Sequence, residues 1–196
     1  MTDPSSGPPP ASGRRVLVLP GRAFGPYVPQ VFLPAMAAVR RGAELVALEW
    51  GDDVPSSEMP TMVAQVEARV RPVLTGLDPG RTLVVAKSLG TCAARLLVEA
   101  ALPLVLVTPL LRAAEVVEPL RAARAPVLLV GGTGDPLWDG QVARALSPLV
   151  CELPGADHGL FVPGPLADSV ANLARLTTAV EEFCDTVVWP PRTAQA

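Results

Sequence analysis

The stretch TLVVAKSLGTCAARLLVEA, residues 82–100, joins a continuous apolar run to a segment of helical composition. The run is rich in β-branched residues and lacks polar alternation, which is typical of a strand buried on both faces of a parallel sheet. Lys87, Ser88, Leu89 and Gly90 lie at the junction. Ser88 is therefore predicted to lie on a strand-to-helix turn, either as the N-cap of the helix or as a nucleophile.

Similar apolar runs recur along the chain and alternate with segments of helical spacing. The runs are residues 16–20, 44–50, 82–88, 104–110, 127–132 and 149–155. The helical segments are residues 29–41, 60–75, 113–123, 139–147 and 167–184. Parallel strands that alternate with helices are joined by right-handed crossovers, which place helices on both faces of the sheet. The sequence thus predicts an α/β fold, a three-layer sandwich around a mostly parallel six-stranded sheet.

Length and composition indicate one domain. A chain of 196 residues with 49% apolar residues can bury most of its unfolded surface in a single core. Residues 1–13 are mostly Pro, Ser and Gly, and the chain ends with PPRTAQA, so neither end has much to bury. We therefore predict a disordered N-terminal tail at 1–13, a single domain at 14–188 and a C-terminal tail at 189–196.

Charge and residue usage exclude several classes of ligand. The formal net charge is −3, no basic run occurs, and aromatic residues make up only 4%, which argues against nucleic acid. The first residues do not resemble a secretion signal, and no apolar run reaches the roughly 18 residues that a membrane helix needs. We expect a soluble cytoplasmic protein that is a monomer or a homodimer and does not bind a membrane.

The sequence implies neither a cofactor nor a metal ion. Cys92, Cys151 and Cys184 are isolated among apolar neighbours, so we interpret them as core thiols rather than as a disulfide framework or metal ligands. GGTGDP, residues 131–136, is close to the dinucleotide-binding fingerprint. It follows the fifth run and lacks the required spacing, so dinucleotide binding is not expected.

Three residues with catalytic chemistry follow three different apolar runs. Ser88 ends the third run, Asp135 follows the fifth and His158 follows the sixth. Parallel sheets bind ligands at the carboxyl ends of their strands, so these side chains are predicted to meet there. Their chain order, Ser then Asp then His, is that of one class of catalytic triad. His158 is the only histidine, so it is the only candidate for an imidazole base.

The serine has an ordinary structural alternative. Its hydroxyl is suited to cap the following helix, a role in which serine is common. A nucleophile on a tight turn requires small residues two positions before and two positions after it. Ala86 and Gly90 stand at these positions around Ser88, and together with the acid and the histidine they favour the nucleophile.

The acid also has competitors. Asp135 precedes a proline and is a normal turn residue. The alternative acids are Asp157, which is adjacent to the histidine, and Asp52 or Asp53 after the second run. We favour Asp135 because it agrees with the chain order of the triad.

A serine nucleophile requires N–H groups that stabilise the oxyanion. The backbone N–H of Leu89, in the residue after the nucleophile, is the first candidate. The second is the N–H of Arg22 or Ala23 in the loop after the first run. That loop opens with Pro20 and Gly21, which are equally compatible with a plain turn.

Apolar residues that follow strand ends are candidates for substrate contacts. They are Phe24, Tyr27, Leu110, Leu111, Trp138 and Phe161, for which a role in the core is an equal alternative. The connection at residues 108–126 holds only one helix, so no cap domain is expected over the site. An open site of this kind favours short acyl groups, or acids carried on a larger molecule, over long-chain lipids.

Four segments resemble a known family. They are VLPGRAFGP (18–26), AKSLGTCAAR (86–95), VLLVGGTGDPLW (127–138) and LPGADHGL (153–160). They are similar to the small, lidless α/β-hydrolase-fold proteins, and most similar to the bacterial dienelactone-hydrolase-like group, whose fold also occurs in KANSL3 and testis-expressed-30 type proteins. That group similarly has a lysine or arginine before the serine, a G-T-x-D-P turn and a D-H loop. The resemblance covers roughly residues 14–185.

This resemblance implies a serine hydrolase acting on an ester or thioester of a small-molecule acyl substrate. It implies Ser88 as nucleophile, His158 as base and Asp135 as the acid that orients the base. It also implies the strand order 2-1-3-4-5-6 without a cap domain, the chain beginning at the third strand of a full-length member. Alternatives are a catalytically weak ligand-binding or scaffold protein, and a biosynthetic cyclase or lyase that uses the same site. Two departures, Ala86 in place of the first glycine of the turn and Pro20 where histidine often opens the oxyanion loop, bear on activity more than on fold.

Overall fold

A six-stranded parallel sheet forms the centre of the molecule, for which a computed structural model describes residues 12–23, 25–51 and 55–191. The strands are β1 (Arg14–Leu19), β2 (Ala43–Ala47), β3 (Thr82–Lys87), β4 (Leu104–Val107), β5 (Val127–Gly132) and β6 (Leu149–Leu153). Every neighbouring pair is parallel, and the order is β2-β1-β3-β4-β5-β6. Both the six predicted strands and their predicted order are confirmed.

Six α-helices connect or follow the strands. They are α1 (Pro29–Val39), α2 (Met59–Val73), α3 (Ala94–Glu99), α4 (Ala114–Arg121), α5 (Gly140–Leu146) and α6 (Leu166–Phe183). A 3-10 helix at Ser88–Ala93 leads directly into α3, and α6 continues into a π-helical turn at Cys184–Val188. The α3 region is the helix predicted to follow the junction at Ser88.

Alternate residues of each strand enter two separate cores. Val16 and Val18 face the core that α1 and α6 cover. Leu17 and Leu19 face the core that α2, α3, α4 and α5 cover. Both faces of the sheet are therefore buried, which is the physical reason that the strands read as continuous apolar runs in the sequence.

The domain extends further towards the C-terminus than the sequence predicts. Trp189, assigned above to the C-terminal tail, is only 7% exposed, and the guanidinium of Arg14 lies 5.0 Å from its ring centroid. The tail prediction is wrong at this position because the large apolar surface of an indole is buried with the core. At the other end, Ser12 donates a hydrogen bond to the carbonyl of Gly42. Residues 1–11 and 192–196 of the predicted tails lie outside the described residues.

The carboxyl edge of the sheet is not covered by an inserted domain in the described part of the chain. The connection between β4 and β5 contains α4 alone, as predicted. None of the described helices is long and apolar enough to cross a membrane. All three cysteines are free, and burial raises the pKa of the Cys92 thiol to about 12 and that of Cys184 to about 11. Both are thus core thiols, whereas Cys151 is half-buried.

Candidate active site

The register of the sheet brings the ends of several strands to one edge. Lys87 at the end of β3 pairs with Val107 at the end of β4, and Gly132 at the end of β5 pairs with Leu153 at the end of β6. The residues that follow these strands therefore begin at a common level. This alignment brings together side chains that lie far apart in the sequence.

Ser88 lies on a strained turn directly after β3. Its φ is 47°, a left-handed value that is uncommon for any residue other than glycine. The backbone makes a close approach two residues later, because a Cβ on Gly90 would lie 2.3 Å from the carbonyl oxygen of Leu19. Only glycine fits there, as the tight-turn interpretation requires. The N-cap of the 3-10 helix is Lys87. Ser88 therefore does not have the alternative role of a helix cap.

Three side chains form a continuous hydrogen-bonded chain at this edge. His158 Nε2 lies 2.8 Å from Ser88 Oγ, and His158 Nδ1 lies 2.7 Å from Asp135 Oδ2. The Asp135 side chain is fully buried, and its Oδ1 accepts a hydrogen bond of 2.9 Å from the N–H of Leu137. When Asp135 is a carboxylate, Nδ1–H donates to it and Nε2 is left as the acceptor for the serine hydroxyl. This is the arrangement that a general base needs.

The alternative acids are not positioned in the same way. Asp157 Oδ1 accepts hydrogen bonds from the N–H groups of Gly159 and Phe161, at 2.8 and 2.9 Å. Asp157 therefore shapes the turn that carries His158 and does not orient the imidazole. Asp52 and Asp53 lie outside the described residues.

Close backbone contact holds the acid turn against the histidine loop. A Cβ on Gly132 would lie 2.0 Å from the carbonyl oxygen of Ala156. The N–H of Gly134 donates to that same carbonyl at 3.0 Å. Asp135 and His158 belong to these two segments, so the glycine-rich sequence before Asp135 explains how the two side chains reach each other.

Two buried polar side chains that the sequence analysis did not assign also contact the histidine loop. Lys87 Nζ donates hydrogen bonds of 3.0 Å to Thr108 Oγ1 and to the carbonyl of His158. Gln30 Nε2 donates at 2.7 Å to the carbonyl of Gly159. A signal for Lys87 was present, because a charged residue within a buried strand is unusual and needs partners. Gln30 carries no such signal in the sequence.

Burial lowers the pKa of the Lys87 ammonium from 10.5 to about 8. The carboxylates of Asp135 and Asp157 oppose this effect because their negative charges favour the ammonium form. The side chain is nevertheless still mainly charged at pH 7. A positive charge is therefore buried beside the serine and histidine.

The predicted oxyanion residues lie next to Ser88. Leu89 follows it within the first turn of the 3-10 helix, where N–H groups have no acceptor inside the helix. The loop that carries Arg22 and Ala23 is close by, since a Cβ on Gly21 would lie 3.7 Å from Ser88 Cβ. A hydrogen bond holds this loop in place, because the buried indole of Trp50 donates to the carbonyl of Gly21 at 3.1 Å. The guanidinium of Arg22 itself points elsewhere and binds the carbonyls of Pro55 and Ser56.

Two cavities meet at Ser88 and Arg22. The methionine cavity has a volume of about 530 Å³, and its lining includes Met59, Met62, Leu89, Leu110, Ala114 and Leu137. The histidine cavity has a volume of about 480 Å³, and its lining includes Gln30, Lys87, His158 and Phe161. Ser88 thus borders a cavity on each side.

The predicted substrate contacts differ in their position relative to Ser88. Leu110 lines the methionine cavity and Phe161 lines the histidine cavity. Tyr27 is 63% exposed and lines a separate cavity beside Trp50, so it does not face Ser88. Phe24 lies outside the described residues.

The predictions for Leu111 and Trp138 are wrong because both side chains belong to the core. They are 2% and 5% exposed. The ring of Trp138 packs against Gly131, and its Nε1 donates to Glu152 at 2.9 Å. Leu137, the residue before Trp138, lines the methionine cavity instead.

Comparisons with known proteins identify the fold. No family model matches the sequence, and no curated protein matches it either. An α/β serine hydrolase without lid from Xanthomonas campestris is 14% identical, with a TM-score of 0.61 over 90% of this chain and 84% of that chain. A dienelactone hydrolase from Anabaena variabilis is 17% identical, with a TM-score of 0.61 over 89% and 87%. Est1E from Butyrivibrio proteoclasticus is 15% identical, with a TM-score of 0.64 over 92% and 89%. The property that the chain shares with these proteins is their fold.

Proposed function

Because the chain has the fold of the small α/β hydrolases without a lid, we propose that it is a serine hydrolase. Its substrate is an ester or thioester of a small acyl group. One observation carries the proposal: Ser88, His158 and Asp135 follow three different strands and form one hydrogen-bonded chain, with distances of 2.8 and 2.7 Å. The names of the structural neighbours, a serine hydrolase and a dienelactone hydrolase, agree with this chemistry.

The first half of the reaction forms an acyl-enzyme. Ser88 Oγ attacks the acyl carbonyl carbon, and the hydroxyl proton moves to His158 Nε2. Asp135 holds Nδ1–H and stabilises the imidazolium that results. The carbonyl oxygen becomes an oxyanion, which accepts hydrogen bonds from the N–H of Leu89 and from an N–H of the Arg22–Ala23 loop.

The second half returns the enzyme to its starting state. The tetrahedral intermediate collapses when the bond between the acyl carbon and the alcohol oxygen or thiol sulfur breaks. His158 Nε2 gives its proton to that leaving atom. A water molecule then attacks the acyl-enzyme while His158 accepts its proton, and the carboxylic acid leaves as Ser88 recovers its hydrogen.

The direction of proton transfer indicates which part of the substrate each cavity holds. The leaving atom must lie within hydrogen-bond distance of His158 Nε2, so the leaving group occupies the histidine cavity. The acyl group then extends to the other side of Ser88, into the methionine cavity. Met59, Met62 and Leu110 provide an apolar surface there, which suits a hydrocarbon acyl group.

A fluorophosphonate probe tests the proposal directly. The probe should label the wild-type protein and should not label Ser88→Ala, because only an activated serine reacts. Ser57→Ala is the matched control, since Ser57 is an exposed serine that also lines the methionine cavity. Labelling that persists in Ser88→Ala would show that another residue is the nucleophile, whereas a wild type that is not labelled would contradict an activated serine and favour a scaffold protein. Separating hydrolysis from a cyclase or lyase reaction requires the natural substrate, because p-nitrophenyl acetate can only be hydrolysed.

A further inference from the structure

Two buried side chains hold two consecutive carbonyl groups of the histidine loop. Lys87 binds the carbonyl of His158 and Gln30 binds the carbonyl of Gly159, at 3.0 and 2.7 Å. The two side chains come from different elements, the end of β3 and the first turn of α1. They are 9% and 8% exposed, so water does not compete effectively for these hydrogen bonds. The two peptide groups that flank Gly159 are thus fixed by long-range contacts.

Lys87 is the only lysine of the chain, whose other basic residues are all arginines. An ammonium is a compact group with three donors, whereas a guanidinium presents five donors in a rigid plane. The two bonds of Lys87 diverge, one to the His158 carbonyl and the other to Thr108 Oγ1. A compact group with rotatable donors is suited to this divergent geometry.

Thr108 links the buried Lys87 to the neighbouring strands. Its φ is 42°, which is a strained value for a β-branched residue. Its N–H donates to the carbonyl of Val130 in β5 at 2.7 Å. Lys87 thereby connects the histidine loop to the ends of β3, β4 and β5, the rigid part of the sheet.

We infer that Lys87 and Gln30 are positioning residues that hold His158 in line between Ser88 and Asp135, an inference whose catalytic meaning rests on the proposed function. The carbonyl of His158 is part of the same residue as its imidazole, so a shift of the backbone moves Nε2 away from Ser88 Oγ. Displacements of about 1 Å at a catalytic group reduce rates by about a hundredfold. The charged groups that face the Lys87 ammonium are Asp135 and Asp157, both from the elements it connects.

Nuclear magnetic resonance tests the positioning without a substrate. Because His158 is the only histidine, the wild type should give a single far-downfield resonance for Nδ1–H bonded to Asp135. Lys87→Met keeps the length of the side chain and removes its donors, and it should weaken or abolish this resonance. Gln30→Met should broaden it. Ser147→Ala is the matched control, because it removes another buried hydrogen bond, to the carbonyl of Val127 at the start of β5, and should leave the resonance unchanged.

Kinetics with p-nitrophenyl acetate provide the second measurement. Lys87→Met should lower kcat by about 10- to 100-fold and Gln30→Met by about 3- to 10-fold, because the imidazole is misplaced in the transition state. KM should change less than about threefold. Ser147→Ala should keep wild-type kcat even if it melts at a lower temperature.

The inference is overturned if folded Lys87→Met keeps both the resonance and kcat within about twofold of the wild type. Should Lys87→Met fail to fold, Gln30→Met decides by the same two criteria. If the wild type hydrolyses no ester, the proposed function fails. The resonance still supports or contradicts the positioning role in that case, so the two failures are distinguishable.

Discussion

His158 Nε2 lies 2.8 Å from Ser88 Oγ, although 70 residues separate the two in the chain. Their contact depends on the sheet, because β3 and β6 end at the same edge with β4 and β5 between them. Loss of either side chain should therefore remove the same step. We expect Ser88→Ala and His158→Ala each to reduce kcat on p-nitrophenyl acetate by about a millionfold, as in other serine triads. A His158→Ala enzyme that keeps a tenth of wild-type kcat would show that another group is the base.

The two acids near the histidine should respond differently. Asp135→Asn should lower kcat by about ten thousandfold, because an amide favours the wrong imidazole tautomer. Asp157→Asn keeps an oxygen that can accept from the N–H groups of Gly159 and Phe161, so it should retain most activity. The comparison requires steady-state rates of both variants, measured at the same pH. Equal losses would mean that the acid is assigned incorrectly.

The turn after the serine should not tolerate a larger residue. Gly90→Ala places a Cβ about 2.3 Å from the carbonyl oxygen of Leu19, so we expect a loss of about 1 to 3 kcal/mol in the free energy of unfolding and a large loss of activity. Gly76→Ala is the control: φ is 74° there, but no described atom lies within 4 Å of the new Cβ. It should cost about 1 kcal/mol and leave kcat unchanged. Urea unfolding and ester hydrolysis measure the two effects.

Acyl selectivity should follow the methionine cavity. Ala114 lines this cavity at the start of α4, so Ala114→Trp should fill part of it. Two methylenes contribute at most about 0.8 kcal/mol each, so the ratio of kcat/KM for p-nitrophenyl butyrate to acetate should fall by up to about tenfold. Ala122→Trp, at the exposed end of the same helix, should leave the ratio unchanged. An unchanged ratio in Ala114→Trp would place the acyl group elsewhere. In the wild type, kcat/KM should be poor for palmitate because no inserted element among the described residues covers the site.

The buried lysine should make stability depend on pH in the alkaline range. Lys87 has a pKa of about 8 in the folded protein and the ordinary 10.5 when unfolded. Between these values the unfolded chain binds more protons, so the free energy of unfolding rises with pH there. The cost of burying the charge is fully present below pH 8 and is absent above pH 10.5. It amounts to about 3 kcal/mol.

Lys87→Met isolates this effect, because other groups that titrate in the same range are common to both proteins. Urea unfolding at pH 7.5 and pH 10 should show the wild type gaining up to about 3 kcal/mol relative to the variant. A difference that does not change with pH would mean that the ammonium is not buried as described.

Much of the architecture was predictable because it depends on local patterns. Continuous apolar runs separated by helical segments are required by a parallel sheet covered on both faces, so six strands followed from the sequence. The positions of the three candidate catalytic side chains were also predictable. Ser88, Asp135 and His158 each follow a run, and every run of a parallel sheet ends at the same edge.

The choice between neighbouring residues was decided only by the tertiary structure. Asp135 and Asp157 both follow strand ends, and the direction of each side chain depends on the hydrogen bonds of its own turn. Leu137 lines a cavity while the adjacent Trp138 packs in the core. The position of a residue in the sequence does not specify the direction in which its side chain points.

Lys87 shows most clearly the difference between what the sequence predicts and what depends on tertiary contacts. The order of residues alone shows a charged residue at the end of a buried strand, next to the serine. Its partners, Thr108 and the carbonyl of His158, are 21 and 71 residues away along the chain. They become neighbours only when β3 and β4 are paired and the loop after β6 folds over them. A buried charge is stable only with such partners, and these exist only in the assembled sheet.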